Sequence, residues 1–139
     1  KFFNSLNKNT KNIFKKFNFE IIRAAITKSC KIKLHFAQQD EKERNKRMIL
    51  NFGHTFAHGI EAANNYSRTI NHGEAVLIGM ILATRLSFKK KICSYSTLNK
   101  IETIYETNNL PKNLTDFFSK KILNKIVNFM EIDKKKLQQ

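Results

Sequence analysis

The chain has 139 residues with 41% apolar content, enough for one ordinary buried core, and its single Pro and four Gly are too few for a sandwich or barrel of many short strands. Composition therefore predicts an all-α, multihelical fold in one domain, residues 1–139. A formal charge of +15, from 26 Lys and Arg against 11 Asp and Glu, raises nucleic acid as a partner. However, the lysines are spread along the whole length, with no paired Cys/His finger, aromatic strand motif or basic heptad helix beside them, so no nucleic-acid role is expected.

Cys30 and Cys93 stand far apart without Cys-x-x-Cys spacing and read as free thiols in a reducing compartment, the cytoplasm. The longest apolar run, Ala75 to Ala83, is nine residues and contains Gly79, far short of the roughly 20 that span a bilayer. The chain opens at Lys1 without Met and stops at Gln139 after a Lys run. Phe2, Phe3, Phe129 and Met130 put apolar residues near both ends, so it reads as a piece of a longer protein.

In chain order, Ile13, Phe14, Phe17, Ile21, Ile22, Ala25, Ile26, Ile32 and Phe36 recur at three- and four-residue steps, which predicts one long amphipathic helix or two end to end. Asp40 with Glu43 three positions on looks like an N-cap, so the next helix is expected from about Glu41 to Ala63. The polar stretch NNYSRTIN is a loop. Gly73 to Phe88 is a helix apolar on nearly all sides and therefore buried, and Ser96 or Thr97 to Thr107 is another, ended by NNLP. Thr115 is expected to cap a last amphipathic helix with Phe118, Ile122, Ile126 and Phe129 on its inner face.

Between Arg47 and Val76 the chain gathers three of its four histidines and three of its four glycines. On a helix from Glu41, Arg47, Asn51, His54 and His58 would fall within an arc of about 60°, with Glu61 at the end of the line. Ile49, Phe52, Phe56, Ile60 and Ala63 would form the apolar back. A merely solvated face in so Lys-rich a chain would carry Lys and Glu, whereas this one carries Arg, Asn and two His. Gly53 and Gly59 inside a helix would each cost roughly 1 kcal/mol relative to Ala, which implies close approach of another helix or of a ligand. Neutral imidazoles are common metal ligands, and His54 and His58 have the i,i+4 spacing of a zinc helix. Thr55 follows His54, however, so the His-Glu-x-x-His motif and its general base are absent. His72 precedes Gly73 and Glu74 at the start of the buried helix. Glu74 could hold the second ring nitrogen of His72 or simply compensate the helix N-terminus.

The stretch LNFGHTFAHGIEA followed by HGEAVLIGM resembles the signature of the 3-dehydroquinate synthases, LNxGHTFGHAIEA with HGEAVAxGM. Upstream, KSCKIKLHFAQQDEKERNKR is similar to the segment RCCxxKxxVVxxDExExxxR, with Lys33 and Asp40-Glu41 in register, and FMEIDKK is similar to a DKK near the end of the family's helical domain. Nearly the whole chain thus resembles the C-terminal, multihelical domain, and nothing resembles the NAD-binding half. Where the family has Gly then Ala around the second histidine, this chain has Ala57 and Gly59; Asn71 stands where an apolar residue is usual.

The resemblance implies that His54 and His72 bind the catalytic metal, Zn2+ or Co2+, with a third ligand, a Glu, lying outside this chain. It implies that His58, Lys33, Arg47 and Asn51, with Lys134 or Lys135, meet the phosphate of the sugar phosphate 3-deoxy-D-arabino-heptulosonate 7-phosphate, His58 and Lys33 also being catalytic. In that family NAD takes a hydride from a hydroxyl, phosphate leaves by β-elimination, the ketone is reduced back, the ring opens and an aldol closure gives 3-dehydroquinate for the shikimate pathway. The implied partners are the N-terminal NAD-binding domain and, in the full-length form, a second copy in a homodimer. The isolated chain would be inactive. A sister sugar-phosphate cyclase of the same fold family and a non-catalytic basic helical binding module are the rival readings.

Overall fold

Three helices of this chain start where a short polar side chain receives an early backbone N–H, and several stop near a residue whose backbone turns left-handed. The structure, a computed structural model, describes residues 1–65 and 69–136, without the side chains of Lys11, Phe14, Asp116 and residues 131–136. Among the described residues there are six α-helices and no strand: α1 (Phe2–Phe14), α2 (Phe19–Gln39), α3 (His54–Ala63), α4 (His72–Lys89), α5 (Tyr95–Thr107) and α6 (Lys120–Lys136), with 310 turns at Lys46–Asn51 and Leu114–Asp116. The all-α expectation is met. None of the helices is long and apolar enough to cross a membrane, among the described residues.

The chain forms two compact units, Lys1–Leu50 and Asn51–Gln139. In the first, the apolar periodicity resolves into two helices. Phe17 takes a positive φ of 49° and breaks the run, and Asn18 caps α2 by accepting the Ile21 amide at 3.1 Å. α1 packs on α2, yet no described residue of this unit is fully buried.

The expected helix from Glu41 to Ala63 does not form as one element. Asp40 is the C-cap of α2, not the N-cap of a following helix. Its carboxylate accepts the amides of Arg44 (3.0 Å), Asn45 (2.7 Å) and Arg47 (3.1 Å). Three amides bound to one carboxylate favour a turn over a helix, because they are drawn away from the i−4 carbonyls that a helix needs. Glu43 takes a φ of 53° within this turn, and Gly53, at φ 84°, separates the 310 turn from α3. Gly53 is therefore a cap and not a helix-interior residue.

The second unit has a core of Ala57, Ile60 and Ala63 from α3, Ile70 just before α4, Ala75 and Ile78 from α4, and Phe118 and Ile126. α3 packs against both α4 and α6. The apolar back predicted for α3 is partly wrong: Ile60 and Ala63 are buried, but Ile49 and Phe52 are exposed, and Ala57 and Gly59 take the inner positions instead. A Cβ on Gly59 would meet the Met130 side chain at 2.7 Å and the Ile126 carbonyl at 3.1 Å, so close approach of another helix accounts for this glycine. α4 starts and ends within one residue of expectation and is buried over much of its circumference but not all of it. Ala75, Ile78, Ile81 and Thr84 are inside, while Met80, Leu86 and Phe88 are exposed.

α5 is capped by Ser94, whose side chain accepts the Thr97 amide at 3.2 Å. It is fastened to α4 by Leu98, by the Tyr105 hydroxyl donating to the Leu77 carbonyl at 2.6 Å, and by an Arg85–Glu102 pair at 2.9 Å. Thr115 lies in a 310 turn and not at the cap of α6, which starts five residues later. Phe118 and Ile126 are buried as expected, but Phe129 is 38% exposed and Met130 packs on the core in its place.

Candidate functional site

The polar end of the α3–α4 pair is built on a contact between two glycines. The Gly53 carbonyl accepts the Ala57 amide at 3.0 Å and opens α3, and it lies directly against Gly79 in the middle of α4. A Cβ on Gly79 would fall on that carbonyl oxygen, and a Cβ on Gly53 would lie 2.5 Å from the Met80 nitrogen. No side chain separates the two backbones, so the start of α3, and with it His54, is fixed against α4.

His54 is the first residue of α3, His58 lies one turn on and Glu61 three residues further, all within about 60° of one helix face. His72 is the first residue of α4. The helix start that presents it is set by Asn71, whose side chain accepts the Glu74 amide at 3.0 Å while the Glu74 carboxylate accepts the Asn71 amide at 2.9 Å. That capping box answers both questions about these residues. Asn71, unusual for the family pattern, is the N-cap of α4, and Glu74 serves the helix end and does not hold His72.

The carboxylate that holds His72 belongs to Glu61, with Oε1 at 2.9 Å from His72 Nδ1. An ionised carboxylate only accepts, so the Nδ1 of His72 carries the proton and its Nε2 is left without one. The sequence places Glu61 three residues after His58 and seven after His54, on their face, but does not say that it meets His72.

The His54 ring lies 6.0 Å from His72 and 5.8 Å from His58, centroid to centroid. Two imidazoles sharing a tetrahedral zinc at about 2.0–2.1 Å have centroids about 5 Å apart, so either pair is near the required separation. His54 Nδ1 is buried without a hydrogen-bond partner, which costs roughly 1–3 kcal/mol when left so. An imidazole with an orphaned buried nitrogen, beside a second whose Nδ1 is already engaged by a carboxylate, suits a divalent ion. Among the described residues no three His, Cys, Asp or Glu side chains gather closely enough to hold one.

The four-residue line from Arg47 to His58 is not one helix face. Arg47 and Asn51 belong to the 310 turn, while His54 and His58 are on α3. Lys33 is exposed on α2. Within the first unit, Arg47 is held at several points: its amide on Asp40, Nη1 on the Glu41 carbonyl at 2.9 Å, and Nε 3.3 Å from the Glu43 carboxylate. The Arg44 amide, aided by those of Asn45 and Arg47 and by the Arg47 charge, keeps the Asp40 carboxyl below its ordinary range. Asn51 and His58 are exposed in the second unit. The side chains of Lys134 and Lys135 lie outside the described residues. Cys30 and Cys93 are both free thiols.

Comparison with known proteins bears on the same stretch. The family model described as 3-dehydroquinate synthase C-terminal matches residues 1–136. A 3-dehydroquinate synthase of Pelagibacter ubique is 47% identical over 135 residues, which is 97% of this chain and 36% of that protein. One of Dictyoglomus thermophilum is 49% identical over 100 residues, 72% of this chain and 28% of that protein, and one of Vesicomyosocius okutanii is 42% identical over 110 residues, covering 79% and 30%. The chain spans about a third of the length of the curated relatives it matches. No solved structure matches it. A helical chain matched from its first residue to 136 by one family model, with nearly half its residues identical to such relatives, belongs to the 3-dehydroquinate synthase C-terminal family.

Proposed function

We propose that this chain is the metal- and substrate-binding part of a 3-dehydroquinate synthase, converting 3-deoxy-D-arabino-heptulosonate 7-phosphate to 3-dehydroquinate and phosphate together with an NAD-binding half, in a cytoplasmic homodimer. The observation that carries this reading is the His54–His72 pair, with one ring nitrogen buried and orphaned and the other ring oriented by a carboxylate. His54 and His72 would hold a divalent ion, Zn2+ or Co2+, with a Glu ligand from the part of the intact protein upstream of Lys1. The metal supplies Lewis acidity to substrate hydroxyls and NAD a hydride acceptor.

What remains to this chain is to bind and orient the phosphate end. His58 is exposed one turn beyond His54, which suits a donor to an incoming anion, and Asn51 offers an amide donor. The family likeness assigns Lys33, Arg47 and one of Lys134 and Lys135 to the same phosphate. Cationic and amide donors neutralise a phosphate dianion and fix its orientation while it departs, and an arginine fork does so with directional bonds that a lysine lacks.

The test is a set of three single substitutions in the intact two-half protein, read by Co2+ or Zn2+ titration and by steady-state kinetics. His54→Ala and His72→Ala should each weaken metal binding by more than the roughly 10–100-fold that loss of an outer-shell partner causes. His58→Ala should keep the metal and raise KM for the phosphate-bearing substrate. Loss of metal in His58→Ala with retention in His72→Ala would assign the ion to the i,i+4 pair and overturn this arrangement.

A further inference from the structure

We infer that Glu61 is a positioning residue for the metal site: by accepting from Nδ1 of His72 it fixes the tautomer and ring orientation that leave Nε2 free to ligate. The inference rests on the functional reading above and gives a role to a residue that lies in the matched motif but has no place in the ligand assignment. The Glu61 Oε1 to His72 Nδ1 distance is 2.9 Å, between side chains 17% and 60% exposed respectively. It is thus the carboxylate that is enclosed and the imidazole that reaches outward, as expected if the first supports and the second binds.

Helix stability does not account for Glu61. It lies in the last turn of α3, where the macrodipole disfavours a negative charge. Burying most of a carboxylate beside Ile60 and Ala63 is also unfavourable unless the group is hydrogen-bonded. Its recorded partner is the His72 ring, eleven residues on and across the loop. Nor does His72 have a nearer holder, because the carboxylate of Glu74 is spent on the Asn71 amide. A ligating histidine commonly gives its other N–H to a carboxylate, which selects the tautomer and raises the basicity of the ligating nitrogen. In free histidine the proton prefers Nε2, the atom that would have to be bare, so without Glu61 the ring would have to change tautomer and rotate before binding.

The test compares Glu61→Ala and Glu61→Gln with the unsubstituted intact protein. Glutamine keeps an oxygen that can accept from Nδ1, whereas alanine keeps none. Long-range 1H–15N spectra of the metal-free protein should show His72 as the Nδ1–H tautomer in the unsubstituted protein and in Glu61→Gln, and as predominantly Nε2–H in Glu61→Ala. Co2+ affinity should fall about 10–100-fold in Glu61→Ala and far less in Glu61→Gln. A purely structural role for Glu61 predicts lowered melting temperature with tautomer and affinity unmoved, and that result overturns the inference while leaving the His54–His72 assignment standing. If the unsubstituted protein binds no metal, the functional reading fails and the Glu61 role with it. Should Glu61→Ala not fold, Glu61→Leu, which fills the same space without an acceptor, takes its place in the same three measurements.

Discussion

The two segments on either side of Leu50 hold their functional side chains by opposite means. At the α3–α4 junction the backbone of Gly53 rests on that of Gly79, and Ala57, Ile60, Ala75 and Ile78 are all fully buried beneath it. In the turn after α2, Arg47 is held by polar bonds to Asp40, Glu41 and Glu43 in a unit with no fully buried described residue. Close packing leaves the backbone under the two imidazoles little room to shift, whereas a turn held by polar bonds on an exposed surface can adjust.

If packing is what fixes the α3–α4 junction, the largest effect should come from separating the two glycines. Gly79→Ala would put a methyl group on the Gly53 carbonyl oxygen, backbone against backbone, with no flexible side chain to move aside. We expect a loss at or beyond the roughly 3 kcal/mol upper end of ordinary overpacking, seen in urea unfolding monitored by circular dichroism. A loss below about 1 kcal/mol would mean that the α3 start can shift on α4, and the contrast between the segments would collapse.

Much of the fold was legible in the sequence because it follows from local chemistry. The α4 start, expected at Gly73 and found at His72, the α5 start, expected at Ser96 or Thr97 and found at Tyr95, and the break at NNLP come from the proline and short polar residues, whereas the sequence leaves open whether the run to Phe36 is one helix or two. The start of α3 was not. Asp40 with Glu43 satisfies an N-cap pattern, but the same carboxylate could equally gather the amides of Arg44, Asn45 and Arg47 into a turn, and the sequence does not say which set of donors wins. That single choice removed Arg47 and Asn51 from the helix of His54 and His58, and turned Gly53 from an interior glycine into a cap. Of the site, the histidines were visible by type and spacing. The Glu61–His72 bond was not, since it depends on where α4 begins relative to α3, a tertiary fact. Phe129 was misplaced for a similar reason: periodicity gives a face, but where that face ends is decided by what packs on it, and Met130 does so.

A middle-sized effect belongs to the seam between α4 and α5. The buried Tyr105 hydroxyl donates to the Leu77 carbonyl, and burial pushes its pKa up to about 12. In the unfolded chain a tyrosine ionises near pH 10. The folded state therefore keeps this proton longer, the stabilisation is complete below about pH 10, and it is lost as pH rises from there to about 12. Tyr105→Phe should cost about 1 kcal/mol at neutral pH, the net worth of one hydrogen bond, because the Leu77 carbonyl sits within α4. It should also flatten the alkaline fall in melting temperature between pH 10 and 12 relative to the unsubstituted protein. Parallel alkaline curves for the two would show that Tyr105 does not carry that dependence.

The smallest effect should come from the polar turn, and it should be local. Asp40 sits below its ordinary carboxylate range because its charged form accepts the Arg44 amide first, with those of Asn45 and Arg47 and the Arg47 charge in support. A carboxyl lowered in the folded state adds stability that is present above the unfolded pKa of about 4 and disappears as pH falls through the folded value. Acid should therefore loosen this turn before it affects the packed junction. Asp40→Asn removes the charge and places amide hydrogens where acceptors are needed. Protection against hydrogen exchange should drop at the amides of Arg44, Asn45 and Arg47, with Ala57 and Ala75 unchanged and little shift in melting temperature. In this variant the turn should also lose its dependence on pH below about 4, since no carboxyl remains there to be protonated. If protection fell equally at Ala57, the turn and the junction would unfold as one cooperative block, and their different construction would have no consequence for how they move.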